Sequence, residues 1–380
     1  MLKRITAAQD CRRKQTTIGR DPSPSSMRRR SLSTAAGLSL LLALPLVPGI
    51  ANACSRVFSN ANGKAMVVGR TMDLFIDDRA ALALRPRALA GGGLLGLKDA
   101  NALHWRSRYG STGVLSLGAV ISDGINERGL NANLLYLGTS RYPDRNTAIP
   151  GLSNAKLAEY VLDNFATVEE AIAGLERVQV VSDRVLNRDW GLHLSLADPS
   201  GASAVVEFVD GSMKVKRGND SLVMTNEPGL NWQLNNRRRY KPFGGTLPLP
   251  GDIDPPSRFV RASAYLSTLP KAASADDAEA NLYGVMKNVA VPAGARDYSS
   301  GDSEDTWMTL WTTIANLSQG HYGIQLNSDP DPVWVTLKHL HWNGSGMRVL
   351  PLRGIGRTGD VSELLNGAPL QTKTAPTGAV

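Results

Sequence analysis

Short apolar or alternating runs, bounded by turn residues, recur along most of the chain and predict β-strands. Clusters of Asp, Asn, Gly and Pro separate these runs, and such close spacing indicates antiparallel sheet. The predicted strands cover residues 65–68, 114–121, 130–137, 192–197, 204–209, 213–216, 222–225, 307–316, 322–326 and 333–337. The predicted turns are Asp123-Gly124, Asn126-Glu127-Arg128-Gly129, Asp198-Pro199-Ser200-Gly201 and Asp210-Gly211.

Helical periodicity predicts helices over residues 154–164, from Thr167, from near Ser257, and from Asp276 to about Val289. The second of these begins with the capping box Thr167-Val168-Glu169-Glu170. Hairpins, then helices, then hairpins favour an α+β fold in which helices cover antiparallel sheets within one domain, residues 54–366. Residues 367–380 are polar and poor in large apolar side chains, so this tail is predicted to be disordered.

The first 53 residues have the pattern of a targeting segment that is removed from the mature protein. Arg28-Arg29-Arg30 is followed by an apolar run over residues 35–48 and by the small-residue cleavage pattern Ala51-Asn52-Ala53. The apolar run is too short to span a bilayer, which favours cleavage over a stable membrane anchor. The signal proper is residues 27–53, and the sequence leaves both Met1 and Met27 open as the start. The mature protein is therefore predicted to be periplasmic or secreted.

The net charge of +8 at pH 7 does not describe the mature protein. Residues 1–53 contain 9 Lys and Arg and 2 Asp and Glu, which leaves 33 basic and 32 acidic residues after the cleavage site. The basic excess belongs to the targeting segment. The sequence therefore argues against a nucleic acid partner.

Cysteine usage points to chemistry at the new N-terminus. The chain has two cysteines, Cys11 and Cys54, and cleavage after Ala53 leaves Cys54 as the first residue and the single thiol. An N-terminal Cys combines a thiol nucleophile with an α-amino group of pKa about 7.7–8.0, which can take the thiol proton. The thiolate can then attack an amide carbonyl, and the chain has no G-x-S-x-G motif that would offer a serine instead.

Two other interpretations of Cys54 stay open at this point. A Cys directly after a signal can carry a lipid, although the usual motif has Leu where this chain has Ala51. A lipid-anchored envelope binding protein is therefore the alternative from another functional class. The third interpretation is a Cys that simply remains beside the cleavage site.

Other polar clusters give weaker signals. His339-Leu340-His341 would share a strand face, but no third metal ligand is evident. The glycine-rich segment 90–94 lacks the ending of a phosphate loop and is interpreted as a flexible loop, and Arg237-Arg238-Arg239 as a solvated turn. Arg70 and Asp73 follow a short strand, where they either face one pocket beside the thiol or form a surface ion pair. No cofactor is expected.

Five motifs in order resemble the cholylglycine hydrolase family, which contains the penicillin V acylases and the bile salt hydrolases. The resemblance covers residue 54 to about residue 337. The motifs are Cys54, Gly69-Arg70-x-x-Asp73, Asp123-Gly124-Ile125-Asn126-Glu127-Arg128-Gly129-Leu130, Met224-Thr225-Asn226-Glu227-Pro228, and Leu249-Pro250-Gly251-Asp252 with Ser257-Arg258-Phe259-Val260-Arg261. The resemblance implies an N-terminal nucleophile hydrolase fold, a four-layer αββα sandwich, often assembled as a homotetramer.

The resemblance also implies roles for single residues. Cys54 would be the nucleophile with its own amine as base, and Arg70 and Asp73 would steady the thiolate and the amine. The side-chain amide of Asn226 and the backbone N–H of Tyr136 would donate to the oxyanion. The Tyr136 position is Asn in bile salt hydrolases and Tyr in penicillin V acylases. Arg258 is the match for the last catalytic Arg, with Arg261, one helical turn on, as the alternative.

The resemblance and the N-terminal Cys together predict hydrolysis of a linear amide through an acyl-thioester. The expected substrate is a small N-acyl compound, penicillin V-like or an N-acyl homoserine lactone, and a conjugated bile salt is the alternative. Trp232, Trp307 and Trp311 are candidates for the wall of the acyl pocket, while core packing is the favoured interpretation of any one of them.

Overall fold

The apolar runs of the sequence form two layers of mainly antiparallel strands, which hold the core between them. The computed structural model describes residues 54–95, 99–185, 188–296, 307–329 and 331–371. In chain order the strands are β1 (Cys54–Ser59), β2 (Val67–Leu74), β3 (Ala81–Arg85), β4 (Ala90–Gly92), β5 (His104–Arg106), β6 (Ser111–Ser116), β7 (Val120–Asn126), β8 (Asn131–Tyr136), β9 (Gly151–Ser153), β10 (Gln179–Val181), β11 (Arg184–Val185), β12 (Arg188–Asp189), β13 (Leu192–Ala197), β14 (Ser203–Val209), β15 (Ser212–Arg217), β16 (Val223–Met224), β17 (Met308–Asn316), β18 (His321–Leu326), β19 (Val333–Thr336), β20 (Arg348–Pro351) and β21 (Gly359–Asp360).

In the two main sheets, several neighbouring strands are far apart in the sequence. The first sheet has the order β16-β1-β2-β17-β18-β19-β21, and the second has the order β15-β14-β13-β8-β7-β6-β3-β20. Neighbours are antiparallel except β19 and β21. Tyr322 of the first sheet donates through its hydroxyl to Asp123 Oδ1 of the second at 2.6 Å, so the sheets face each other.

Helices cover the outer faces of both sheets. Phe259 and Met286, from α4 and α5 respectively, share a core with Phe58 of the first sheet, and Val161 and Ile172, from α1 and α2, share another with strands of the second sheet. The arrangement is a four-layer αββα sandwich, which confirms the predicted fold class. The helices are α1 (Leu157–Asn164), α2 (Val168–Leu175), α3 (Leu230–Arg237), α4 (Pro255–Ser267), α5 (Ala275–Val289) and α6 (Ser362–Gly367).

Capping residues set where the predicted helices begin. Thr167 accepts the Glu170 N–H at 3.2 Å, as the capping-box pattern predicts. Asp254 accepts the Ser257 N–H at 2.9 Å, so α4 begins just before the predicted position, and α5 begins after its cap, Ser274. The predicted helix over residues 154–164 has a 3₁₀ turn in its first three residues before α1.

The predicted strand over residues 114–121 is wrong, because a turn divides it into β6 and β7. Leu117 and Gly118 have φ values of 54° and 68°, which reverse the chain between the two strands. The predicted turn at Asp123-Gly124 lies instead inside β7, fully buried. A side chain at Gly124 would bring its Cβ within 2.7 Å of the Thr112 carbonyl oxygen, so glycine serves close strand packing there and not a turn.

Three further expectations differ from the structure. Residues 90–92 form β4, which pairs with β5, because Gly91 lets the Trp105 ring pack directly on the backbone. His339 ends a 3₁₀ turn, Leu337–His339, and does not share a strand face with His341; within the described ranges there is no cluster of three or more metal-ligating side chains. Arg237 lies in the last turn of α3, a helix that the periodicity did not reveal.

The C-terminal part of the chain returns to the second sheet. Residue 371 bonds through its backbone N–H to the Met347 carbonyl at 2.8 Å, alongside β20. The rest of the predicted tail, residues 372–380, and the predicted targeting segment, residues 1–53, lie outside the described residues. In the described part of the chain, every helix is too short or too polar to cross a membrane.

Candidate active site

Cys54 occupies the first position of β1, which lies between the edge strand β16 and β2 in the first sheet. It lies opposite Met72 of β2, and 3% of its surface is exposed. The Asp73 backbone N–H points at Cys54 Sγ, with the nitrogen 3.5 Å from the sulfur. Burial raises the pKa of the thiol, and the positive charge of Arg70 is the largest effect that opposes this rise. The site therefore holds a thiol that needs a base beside it.

The backbone nitrogen of Cys54 is held by Asn226, just past the end of β16. It donates to Asn226 Oδ1. Arg258 of α4 donates to the same oxygen at 3.2 Å and to the Cys54 carbonyl oxygen at 2.7 Å. Two elements far apart in the sequence thus fix the orientation of Cys54.

Asp73 is a buried carboxyl group beside Cys54. Its Oδ1 accepts the Thr309 hydroxyl at 2.5 Å and its Oδ2 lies 3.8 Å from Arg258 Nη1. Burial raises the pKa of Asp73 to about 7, against the opposing charge of Arg258. Such a group changes protonation near neutral pH, as acid–base chemistry requires.

Arg70 reaches across from the first sheet to the second. Its Nη2 donates to the Leu134 carbonyl oxygen of β8 at 3.0 Å, and its guanidinium stacks over Trp311 at 4.4 Å from the ring centre. Both Arg70 and Asp73 are 1% exposed. The alternative of a surface ion pair is therefore wrong, because these side chains are buried between the sheets beside Cys54.

Tyr136 ends β8 and lies next to Asn226. Its carbonyl oxygen accepts the Asn226 side-chain N–H at 2.8 Å. Its ring packs against Trp190 and Trp307, with ring centres 6.0 and 6.2 Å away. The Tyr136 backbone is thus fixed close to Asn226, and its ring faces the pocket.

The structure separates the two candidate arginines. Arg258 is fully buried and bonds to Cys54, whereas Arg261 donates to the Asp252 carbonyl oxygen at 2.5 Å and to Asn288 Oδ1 at 3.1 Å. Arg261 therefore holds the loop before α4, and Arg258 is the arginine of the site.

A mostly apolar cavity of about 80 Å³ opens beside Cys54. Of the three candidate tryptophans, Trp307 lines it. Trp311 is buried behind it against Arg70, and Trp232 lies outside it with 47% of its surface exposed. Besides Cys54, Arg70, Asp73, Tyr136 and Trp307, the cavity is lined by Met72, Leu74, Asp78, Ser116, Leu117, Val120, Ser122, Leu134, Ala155, Val185, Trp190 and Leu192.

Sequence reasoning missed several residues of the site. Thr309 bonds to Asp73, Trp190 packs on Tyr136, and Asp78 lies in the cavity wall. Thr309 and Trp190 lie in or beside predicted strands, and nothing in their local pattern sets them apart from core residues. For Asp78 the one available signal was an acidic residue five positions after the Arg70–Asp73 motif.

Comparison with known proteins decides the family. The sequence model for linear amide C–N hydrolases, choloylglycine hydrolase family, matches residues 54–350. The chain belongs to this family. The match confirms the resemblance that the five motifs carry, and it makes the protein an amide hydrolase.

Individual relatives agree with this assignment. Penicillin V acylase of Pectobacterium atrosepticum is 34% identical over 343 residues, which cover 84% of this chain and 89% of that protein. A bile salt hydrolase/transferase of Lactiplantibacillus plantarum is 23% identical over 311 residues, 75% of this chain and 93% of that protein. The solved structure of penicillin V acylase from Agrobacterium tumefaciens has a TM-score of 0.74 and 33% identity, and the match covers 84% of this chain and 98% of that one. The N-terminal nucleophile hydrolase fold is therefore confirmed.

Proposed function

We propose that the mature enzyme begins at Cys54 and cleaves the C–N bond of a small N-acyl amide by attack of the Cys54 thiolate. The observation that carries the proposal is the position of Cys54. Its nitrogen is held by Asn226, while its sulfur borders an apolar cavity with Arg70 and Asp73 beside it. Nucleophile, adjacent base and acyl site are then all in place.

The reaction follows from these positions. The free α-amine takes the thiol proton, the sulfur attacks the carbonyl carbon, and the carbonyl π electrons move to the oxygen. One N–H of Asn226 donates to the Tyr136 carbonyl oxygen, and we assign the other, with the Tyr136 backbone N–H, to the oxyanion. When the oxyanion collapses, the C–N bond breaks and the α-ammonium protonates the leaving amine. Water then attacks the carbonyl carbon of the acyl-thioester, and the C–S bond breaks. The departing Cys54 thiolate takes a proton from the attacking water, and the acid is released.

The cavity favours slender acyl groups. An apolar cavity of about 150 Å³ holds one benzene ring, and this cavity is about 80 Å³. By volume a linear acyl chain fits this cavity best, a single ring on a short linker exceeds it, and a rigid four-ring steroid exceeds it by far more. The substrates we propose are therefore N-acyl homoserine lactones and penicillin V-like amides, in preference to the conjugated bile salts named for some relatives.

Export and assembly complete the proposal. The pattern at residues 28–53 supports a signal peptide that is cut after Ala53, which releases the enzyme to the periplasm or the medium. Family membership favours an unmodified Cys54, because lipidation would occupy the thiol that attacks the substrate. The resemblance supports a homotetramer. The intact mass of the exported protein distinguishes a free Cys54 from a lipid-modified one.

The role of the α-amine can be tested with two forms of the protein, one that begins at Cys54 and one that retains Asn52-Ala53. The longer form is expected to fold but to lose nearly all turnover, because an acylated nitrogen cannot accept the thiol proton. Cys54→Ser in the shorter form gives the baseline, at least about a hundredfold lower. Products from a panel of penicillin V, acyl homoserine lactones and conjugated bile salts identify the substrate. Equal activity of the two forms, with the extra residues still attached by mass, would contradict the amine as base.

A further inference from the structure

Three buried polar side chains in the wall of the catalytic cavity have no part in the proposed reaction. They are Asp78, Ser116 and Ser122, each at most 4% exposed. Ser116 Oγ lies 2.8 Å from Asp78 Oδ2, and Ser122 Oγ lies 2.8 Å from Ser116 Oγ. In an apolar pocket, a few placed polar groups determine which ligands bind.

A β-bulge brings Ser122 into this hydrogen-bonded chain. The pairing of β6 with β7 shifts between Val114 and Leu115, and Ser122 is left as the extra residue of β7. Bulges are common next to active sites, where they redirect a side chain. Here the Ser122 hydroxyl meets Ser116 at the cavity wall, so the local departure from regular sheet forms part of the pocket.

The direction of the hydrogen bonds follows from Asp78. Its Oδ2 accepts the Trp311 indole N–H at 2.9 Å as well as the Ser116 hydroxyl. Burial raises the pKa of Asp78, and these two bonds oppose the rise because they favour the ionised form. The same Oδ2 accepts from both donors, so Ser116 uses its single proton on Asp78 and Ser122 donates its own proton to Ser116. This series of hydrogen bonds ends at Ser122 Oγ, which can still accept a hydrogen bond but has no further proton to donate.

We infer that the enzyme selects acyl groups that carry a hydroxyl, so that its substrates are N-(hydroxyacyl) amides. A hydroxyl on the acyl chain donates to Ser122 Oγ. A keto oxygen at the same place can only accept, and the single proton of Ser122 is already donated to Ser116. The inference rests on the proposed amidase function, because it concerns the acyl side of the same pocket.

Kinetics with matched acyl p-nitroanilides of one chain length, all measured at one pH, test this selection. The series contains the unsubstituted chain, chains with a hydroxyl at each position from C2 to C6, and the corresponding keto chains. At one hydroxyl position, kcat/KM is expected to be about 3- to 10-fold above that of the unsubstituted chain, the range that one neutral hydrogen bond supplies. The keto chain is expected to match or fall below the unsubstituted one.

Three variants connect the preference to the serines. Ser122→Ala is expected to bring the hydroxyl-to-unsubstituted ratio close to one. Ser116→Ala frees the Ser122 proton, so the keto chain should gain relative to the hydroxyl chain. Ser111→Ala is the matched control, since Ser111 is a buried serine of β6 that does not line the cavity, and it should keep the wild-type ratio. Melting temperatures confirm that each variant is folded.

The outcomes separate this inference from the proposed function. Cleavage of all chains with no hydroxyl preference, or a preference that survives Ser122→Ala, would overturn the selection and leave the amidase intact. Cleavage of none of the chains, nor of the amides in the substrate panel, would overturn the amidase itself.

Discussion

At the scale of single residues, Asn226 connects more of the site than any local pattern suggests. Its side-chain Oδ1 accepts from the Cys54 nitrogen and from Arg258, and its side-chain Nδ2 donates to the backbone carbonyl oxygen of Tyr136. One side chain thus holds the first strand, a helix and the end of β8 together. The same amide is the donor that we assign to the oxyanion.

Replacing Asn226 tests that role. Asn226→Ala is expected to lower kcat on the order of 10² or more with little change in KM, because the lost donor acts on charge that develops in the transition state. The melting temperature should also fall, since the truncation leaves buried partners unpaired. Asn236→Ala, at a buried asparagine of α3 outside the cavity, controls for loss of stability and should keep kcat. Unchanged kcat in a folded Asn226→Ala enzyme would show that Asn226 is not an oxyanion donor.

At the scale of elements, irregular strands shape the site. The pairing of β17 with β2 shifts between Thr309 and Trp311, which leaves Leu310 as an extra residue. Thr309 then bonds to Asp73, and Trp311 bonds to Asp78. A bulge in a central strand therefore supplies partners to two buried carboxyl groups at once.

The Thr309 bond should set the acid side of the pH–activity profile. The Thr309 hydroxyl stabilises ionised Asp73, so Thr309→Val is expected to raise the pKa of Asp73 further. If ionised Asp73 is the active form, the acidic limb of kcat/KM against pH moves to higher pH. Thr312→Val in the same strand is the matched control and should leave the limb in place. An unshifted limb in a folded Thr309→Val enzyme would remove Thr309 from the control of Asp73.

At the scale of the whole molecule, the two sheets enclose charged groups instead of a purely apolar core. Arg56, Arg70, Asp73 and Asp123 are each at most 1% exposed. Burial lowers the pKa of Arg56 to about 9 and raises that of Asp123. Burying such groups costs free energy. Because burial shifts their pKa values, the free energy of unfolding depends on pH.

Asp73 gives this link a definite sign. Its pKa rises from about 3.9 in the unfolded chain to about 7 in the folded protein. Stability from the protonated carboxyl is complete below about pH 4 and is lost as the pH rises through about 7. The unfolding free energy of wild type minus that of Asp73→Asn should therefore decrease between pH 4 and pH 7 and then level off. Urea titrations across this range measure it, and a difference independent of pH would contradict a buried Asp73 of raised pKa.

The sequence by itself determined most elements and the candidate catalytic residues. Period-2 and period-3.6 patterns are local, so they located strands such as β13 and helices such as α5. The Cys54 thiol and the order of the five motifs indicated the family, because each depends on the identity of residues along the chain and not on their distance in space.

Tertiary structure alone decided which residues meet. Thr309 lies 236 positions after Asp73, and Arg258 lies 204 positions after Cys54, yet both pairs are in contact. It also excluded Arg261, moved the predicted turn at Asp123-Gly124 into a strand, and brought Asp78 and Ser122 to the cavity wall. The physical reason is that burial and pairing across sheets depend on strand order and bulges. These arise from packing of the whole chain and leave no periodic trace in the local sequence.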